Sequence, residues 1–136
     1  KKKKLFSYEI FENLDLSKGN YEELEFQFSS FVGCNFTQSS WNKSHLLFSN
    51  LQNTMLKNTK MEKMKIFDTD FSGATLEQVD FAGAKIKHVS FAGAKLIQVD
   101  FSKVLLAEEI NFQDAQIVDC KFPEEVGSGL LYHENR

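Results

Sequence analysis

A large apolar residue occupies every fifth position of this chain from Phe6 to Leu106 without interruption. The same spacing resumes one residue out of step at Phe112, Ile117 and Phe122. Five residues advance an α-helix by about 140° beyond a full turn, which would scatter the apolar residues over every face. In a flat strand, an odd step would place successive members on opposite faces. The period therefore predicts a coil that turns a corner every five residues and points each central residue inward.

The residues around these centres support a narrow interior. The position two residues before each centre mostly holds a small side chain, as close packing in a thin coil requires. Met64 is oversized for this position, so it either fits by its flexibility or produces a local bulge. Gly73, Gly83 and Gly93 each follow a Phe centre by two residues, which predicts tight turns with positive φ.

Several centres end a segment made of a small residue, then Asp, Asn or Thr, then Leu or Phe. Examples are Cys34-Asn35-Phe36, Ala74-Thr75-Leu76, Val79-Asp80-Phe81 and Val99-Asp100-Phe101. These segments resemble the repeat core of pentapeptide-repeat proteins, and the resemblance extends over residues 6–122. It implies an all-β fold, a right-handed quadrilateral β-helix with four pentads in each of about five to six coils. Residues twenty apart are then expected to stack, and two of the four walls are expected to be rich in aromatic residues.

The limits of the pattern predict the domain organisation. Residues 1–5 are predicted to form a basic tail, residues 6–122 the β-helix, and residues 123–136 a C-terminal cap or linker. The first coil lacks small inward residues, which predicts an irregular cap. The one-residue change of register is assigned to residues 107–111, where an insertion predicts an outward bulge. Because the chain starts without Met and carries a Gly-Ser-Gly segment near its end, we expect it to be part of a longer polypeptide.

Composition and cysteine positions suggest the environment of the chain. No run of eighteen apolar residues and no secretory signal are apparent, so no membrane span is predicted. Cys34 and Cys120 occupy inward positions on distant coils, too far apart for a disulfide. Reduced thiols favour a cytoplasmic location, in a bacterium or in a host cell that receives a secreted effector.

The sequence offers no pattern typical of catalysis. His45, His88 and His133 are widely separated, and no HExxH, CxxC, P-loop or GxSxG motif occurs. The aspartates that precede Phe centres are interpreted as turn residues, because Asp accepts hydrogen bonds from the backbone of its own turn. We therefore predict a protein that is not an enzyme and has no catalytic residue, metal, cofactor or small-molecule substrate.

Charge is distributed unevenly, although the net charge is only −3. Residues 9–25 and 108–136 are mainly acidic, whereas residues 41–66 are mainly basic. Charged residues at the basic middle and at the expected bulge are therefore predicted to form a protein-binding surface. These candidates are Lys57, Lys60, Lys63, Lys65, Glu108 and Glu109.

The resemblance implies two functions. The first is a protein-interaction or scaffold module of a larger bacterial protein, as in secreted ubiquitin ligases of HECT-like type that carry such a β-helix. Its partner is another protein, and the two ends leave homodimerisation open. The alternative is a DNA mimic of the quinolone-resistance type, which binds and protects DNA gyrase or topoisomerase. A DNA mimic needs a continuous negative surface, so the basic middle favours the first function over the DNA mimic. Nucleic acid is not an expected partner.

Overall fold

The computed structural model describes residues 2–124 and the backbone of residues 130–131. This part of the chain consists of short strands, bridges and turns, without a helix. The strands are β1 (Lys4–Ser7), β2 (Leu24–Gln27), β3 (His45–Leu47), β4 (Met55–Lys57), β5 (Lys65–Asp70), β6 (Thr75–Asp80), β7 (Lys85–Ser90), β8 (Lys95–Asp100), β9 (Leu106–Asn111), β10 (Gln116–Val118) and β11 (Leu130–Leu131). Parallel pairing joins them into a seven-stranded sheet, β1-β2-β3-β5-β7-β9-β11, and a four-stranded sheet, β10-β8-β6-β4.

The pairing register defines four walls that repeat every twenty residues. In the first coil, the pairs and bridges to the second coil are Leu5 to Glu25, Ile10 to Ser30, Asp15 to Asn35 and Asn20 to Ser40. We number the four walls in this order. The first wall contains β1, β2, β3 and the first halves of β5, β7 and β9. The third wall, on the opposite side, contains β4, β10 and the first halves of β6 and β8. The result is a β-solenoid of about six turns, which confirms the predicted fold class.

The predicted centres form the interior. Every centre from Phe26 to Phe101 is buried. On the second wall the ring of Phe91 stacks on Phe71 and Phe112, with ring centroids 5.2 and 5.5 Å apart. Stacked apolar side chains therefore run along the axis as expected, and each coil buries its neighbours.

The small inward positions also suit a dry interior. Buried hydroxyls donate to nearby backbone carbonyls, as Ser39 Oγ does to Phe36 O at 2.7 Å. This pairing removes the penalty of burying a hydroxyl without a partner. Met64 is fully buried and β5 pairs regularly beside it, so the oversized side chain fits without a bulge. Cys34 and Cys120 are both free thiols, as their separation along the rod requires.

A left-handed backbone conformation marks the corners. The residue two positions after a centre has a φ between 51° and 75° in nearly every described pentad. The glycines at 73, 83 and 93 conform to the prediction, but eighteen residues other than glycine adopt positive φ as well. The exception is Lys103, two residues after Phe101, which marks a break in the repeat.

The change of register lies earlier than the sequence pattern predicted. Ala107 pairs with Ile86, twenty-one residues before it, so the centre of this pentad is Ala107 and not Leu106. The extra residue is accommodated between Phe101 and Leu106, where Leu105 is 71% exposed. Leu106 is apolar and follows Phe101 by five residues, so it extends the series by coincidence. The assignment of the bulge to residues 107–111 was therefore wrong.

The ends differ in how well they are covered. Lys4 already pairs with Leu24, so regular pairing begins within the segment expected to be a tail. The first-coil centres, Phe6 among them, are only half-buried because no described coil lies above them. At the other end, β11 pairs with β9 through Leu130 and Ile110. The Gly-Ser-Gly segment of the predicted linker and Tyr132 lie outside the described residues.

Candidate functional site

The four candidate lysines do not share one face. Lys57 lies in β4 on the third wall and Lys60 bridges to Ser40 on the fourth wall. Lys63 occupies the corner between the fourth and first walls, and Lys65 begins β5 on the first wall. The sequence interval 57–65 therefore winds around most of one coil. Only Lys63 and Lys65 meet in one place.

The two candidate carboxylates lie in β9, Glu108 on the first wall and Glu109 at the corner that follows it, where its φ is 51°. Glu108 Oε2 lies 4.0 Å from Lys87 Nζ, and Glu109 Oε2 lies 3.1 Å from His88 Nδ1. Neither belongs to a protruding bulge, because the extra residue precedes β9. These carboxylates make the C-terminal end of this side of the rod acidic, whereas its middle is basic.

A groove on the first wall brings Lys63 and Lys65 together with a third lysine, Lys85. It has a volume of about 470 Å³. We call it the lysine groove; its lining residues are His45, Lys63, Met64, Lys65, Phe67, Gly83, Lys85 and Leu106. Lys65 Nζ lies 4.9 Å from the centroid of the Phe67 ring, a cation–π arrangement that holds the ammonium group over an apolar surface. The sequence missed Lys85 because it is twenty residues from Lys65 and lies outside the basic interval.

The charge in the lysine groove comes from its lysines. Burial lowers the pKa of His45 and outweighs the opposing effect of its hydrogen bond to Glu25, 3.0 Å away. Lys3 and Lys65 lower this pKa further. Burial raises the pKa of Glu25, but hydrogen bonds from Gln27 and His45 outweigh it and leave the pKa below its ordinary value. At neutral pH a neutral imidazole therefore donates from Nδ1 to an ionised carboxylate.

A second feature lies along the opposite edge of the first wall. Tyr8, Phe28 and Phe48, which we call the aromatic corner, are 73%, 47% and 52% exposed. Their rings stack nearly parallel, with centroids 5.3 and 5.0 Å apart. The same corner continues with Asp68 and His88. The exposed aromatic surface is thus confined to the N-terminal half of this edge.

The fold itself does not favour aromatic residues at these positions. Tyr8, Phe28 and Phe48 have φ of 58°, 51° and 52°, a region that bulky side chains rarely adopt. The next corner places Asn13 and Asn53 at the same step, a residue type better suited to this backbone. A signal was present in the sequence, because Phe28, Phe48 and Phe67 are the Phe residues that fall outside the centres. All three lie on the first wall or its edge.

Other chemistry has little support in the described part of the chain. No group of three or more His, Cys, Asp or Glu side chains there is arranged to hold a metal ion. Burial raises the pKa of both thiols, Cys34 and Cys120. Residues 2–124 and 130–131 also include no helix of the length and apolar character needed to cross a membrane.

Comparison with known proteins agrees with this architecture. The family model described as pentapeptide repeat region matches residues 34–122. No curated protein sequence gives a significant match. A pentapeptide repeat protein, Rfr23, from the cyanobacterium Cyanothece 51142 is 14% identical, with a TM-score of 0.53 over 89% of this chain and 85% of that chain. QnrB1, a plasmid-mediated fluoroquinolone resistance protein, is 16% identical, with a TM-score of 0.52 over 93% of this chain and 79% of that chain. At such low identity both similarities concern the fold alone.

Proposed function

Because this chain belongs to the pentapeptide-repeat family, a family of stacked coils with outward-facing walls, we propose that it is a non-enzymatic protein-interaction module. Its docking surface is the first wall together with the aromatic corner. The interior residues maintain the rod, so recognition depends on the outward side chains of particular walls. The partner is another folded protein or a segment of one.

The observation that carries this proposal is the exposure of the aromatic corner. Three aromatic rings stand in solvent at left-handed positions, where neither burial nor backbone preference accounts for them. Ring stacking offsets part of the cost, by about 0.5–1.5 kcal/mol per pair. Protein interfaces are enriched in aromatic side chains, and contiguous exposed apolar patches mark interaction sites. Contact with a partner would bury the outer edges of these rings.

The first wall also joins the two features into one surface. Leu47 and Phe67 occupy neighbouring coils on the outward face between the aromatic corner and the lysine groove. The fourth wall provides a contrast, because its described outward positions carry polar, charged, alanine or proline side chains. They are Asn20, Glu22, Ser40, Asn42, Lys60, Glu62, Asp80, Ala82, Asp100, Ser102, Lys121 and Pro123. The first wall thus combines an apolar surface with a basic edge that the fourth wall lacks.

A triple substitution of the aromatic corner tests the proposal. Tyr8→Asn, Phe28→Asn and Phe48→Asn remove the rings while keeping a residue type that tolerates positive φ. A matched control is Gln38→Asn, Gln78→Asn and Gln98→Asn, at left-handed positions between the third and fourth walls. In affinity capture from bacterial and host-cell lysates, we expect wild type and control to retain a partner that the aromatic variant loses. Capture of every partner by a folded aromatic variant would contradict the proposal.

The alternative, a DNA mimic that protects gyrase, is less well supported by the charges on the rod. Lys65, Lys85 and Lys87 interrupt any acidic surface along the first wall. A supercoiling assay with gyrase and a fluoroquinolone distinguishes the two functions. We expect no protection at protein concentrations stoichiometric with gyrase, and protection would favour the DNA mimic.

A further inference from the structure

We propose that the lysine groove binds the carboxylates of a short acidic segment on the protein partner. This inference rests on the proposed function, since it names the chemistry of the partner at one edge of the same wall. The segment supplies two or three Asp or Glu side chains, interspersed with apolar residues. The lysines bind the carboxylates, and the apolar lining residues bind the intervening side chains.

The first argument is that two positive charges lie side by side without a carboxylate from the described residues in contact with either. Lys65 and Lys85 are direct partners in neighbouring parallel strands, an arrangement that destabilises a sheet. Among the described residues, no carboxylate lies within 4.0 Å of the ammonium groups of Lys63, Lys65 or Lys85. An external carboxylate would relieve the repulsion that the fold leaves in place.

Two other lysines among the described residues have carboxylate partners across the coils, whereas Lys43, Lys60 and Lys95 have none within 4.0 Å. Lys57 pairs with Glu77, with Nζ and Oε2 3.8 Å apart, and Lys87 faces Glu108. One further like-charge pair, Asp80 and Asp100 on the fourth wall, has a local explanation. Each carboxylate accepts a hydrogen bond from the backbone N–H two residues later, in its own turn. For the lysine pair, Glu25 attracts Lys65 electrostatically without forming an ion pair with it, and no described carboxylate contacts Lys85.

The second argument is the shape and lining of the groove. Gly83 lines it at the corner beside Lys63, and a Cβ added at Gly83 would approach Lys63 Cγ to 3.0 Å. Phe67 and Leu106 give it apolar sides, and the Phe67 ring holds the Lys65 ammonium group in place. Three lysines around an apolar hollow, one of them held over an aromatic ring, suit carboxylates carried on a chain of mixed composition.

The limits of the basic region favour an acidic peptide over nucleic acid. Along the first wall, Glu25 lies on the N-terminal side of the groove and Glu108 on the C-terminal side. Successive coils are about 4.8 Å apart, so the cationic stretch spans only a few layers. A continuous phosphate backbone would run past these lysines onto carboxylates that repel it. A short acidic segment ends before it reaches them.

Binding of a defined peptide tests the inference. The probe is a short fluorescein-labelled peptide in which Glu and Asp alternate with Leu and Phe, measured by fluorescence anisotropy at low salt. The test variant is Lys65→Gln with Lys85→Gln, and the control is Lys18→Gln with Lys95→Gln, which makes the same change of charge on another side. We expect the test variant to bind about tenfold more weakly than wild type and the control to match wild type. Added salt should weaken wild-type binding.

Stability gives a second readout from the same variants. Because Lys65 and Lys85 repel each other, their replacement should leave the urea midpoint unchanged or raise it. A clear loss of stability would identify the pair as structural and overturn the inference. Equal peptide binding by test and control variants, or no binding by wild type, would also overturn it.

Two further arms separate the alternatives. A single-stranded DNA oligonucleotide that binds while the acidic peptide does not would assign the groove to nucleic acid and overturn the inference. The aromatic-corner variant, tested with the captured partner, reports on the proposed function independently. If that variant loses the partner while the acidic peptide fails to bind wild type, the proposed docking surface is supported. The proposal that an acidic segment binds the lysine groove is then overturned.

Discussion

At the scale of single residues, Trp41 shows how closely the interior is filled. It is among the largest fully buried side chains, and its ring contacts Phe31 and Phe36 edge-on at 5.7 and 5.1 Å. Its indole Nε1 is the buried side-chain nitrogen or oxygen without a hydrogen-bond partner among the described residues. Such a group costs about 1–3 kcal/mol. The aromatic ring therefore stabilises the fold at this position, whereas its unpaired N–H group destabilises it.

We predict that Trp41→Phe changes the free energy of unfolding by less than about 1.5 kcal/mol. Phe keeps an aromatic ring and removes the unpaired N–H, which offsets the smaller volume. Trp41→Ala leaves a cavity and should lose about 3–5 kcal/mol. Urea unfolding followed by far-ultraviolet circular dichroism measures both, since Trp41 is the only tryptophan and its fluorescence is lost. Equal losses in the two variants would show that the indole N–H does have a partner.

At the scale of elements, the extra residue before β9 is absorbed without disturbing the interior. Residues paired across the seven-stranded sheet are twenty apart, except that pairs spanning the extra residue, such as Ile86 with Ala107, are twenty-one apart. Inward and outward side chains keep their sides because the bulge, at Leu105, lies between two pentads. The change of register thus belongs to a corner and leaves the walls intact.

Deletion of Leu105 should therefore be tolerated. Ala107 and the centres after it would still face inward, and we expect the free energy of unfolding to change by less than about 1 kcal/mol. The control is deletion of Ile97, within β8, which would turn the next inward residue, Val99, out of its position. Thermal unfolding by circular dichroism compares the two. A large loss from the Leu105 deletion would mean that the bulge itself stabilises the rod.

The sequence predicted the elements well where a single residue type carries the information. Large centres such as Phe71 and Phe91 predicted the stacking, because one inward position per pentad regularly holds a large side chain, whereas the other does so only at Met64. Two features escaped prediction. Leu106 imitates a centre, so the bulge was displaced, and left-handed φ at residues such as Gln38 leaves no mark in side-chain polarity. The predicted basic surface is also divided among several walls. It was taken from an interval of the sequence, whereas the coil places neighbouring residues of that interval on different walls.

At the scale of the whole molecule, each coil is held mainly by the coil on either side. Among the described residues the first coil has one such neighbour, and its inward positions include Leu14, which is 45% exposed. In the middle, Lys85 N donates to Met64 O of the preceding coil and Gly83 N to Lys103 O of the next. Protection from solvent should therefore fall toward the N-terminal end.

Hydrogen exchange measured by mass spectrometry tests this gradient. We predict that amides in residues 4–23 exchange at least about a hundredfold faster than those in residues 64–100, because opening the end coil breaks one interface and opening a middle coil breaks two. Uniform exchange along the rod would contradict the prediction and indicate a single cooperative unit.

The twenty-residue register, which only the extra residue before β9 interrupts, has a consequence for how such a rod can vary in length. Removal or addition of one whole coil keeps every downstream residue on its own wall, and it changes the spacing of surface features in steps of about 4.8 Å. The aromatic corner and the lysine groove lie along opposite edges of the same wall, so the axial distance between their residues can change only in these steps. A coil inserted between Phe48 and Lys65, which now lie on neighbouring coils, would therefore weaken the binding of a partner that contacts both features.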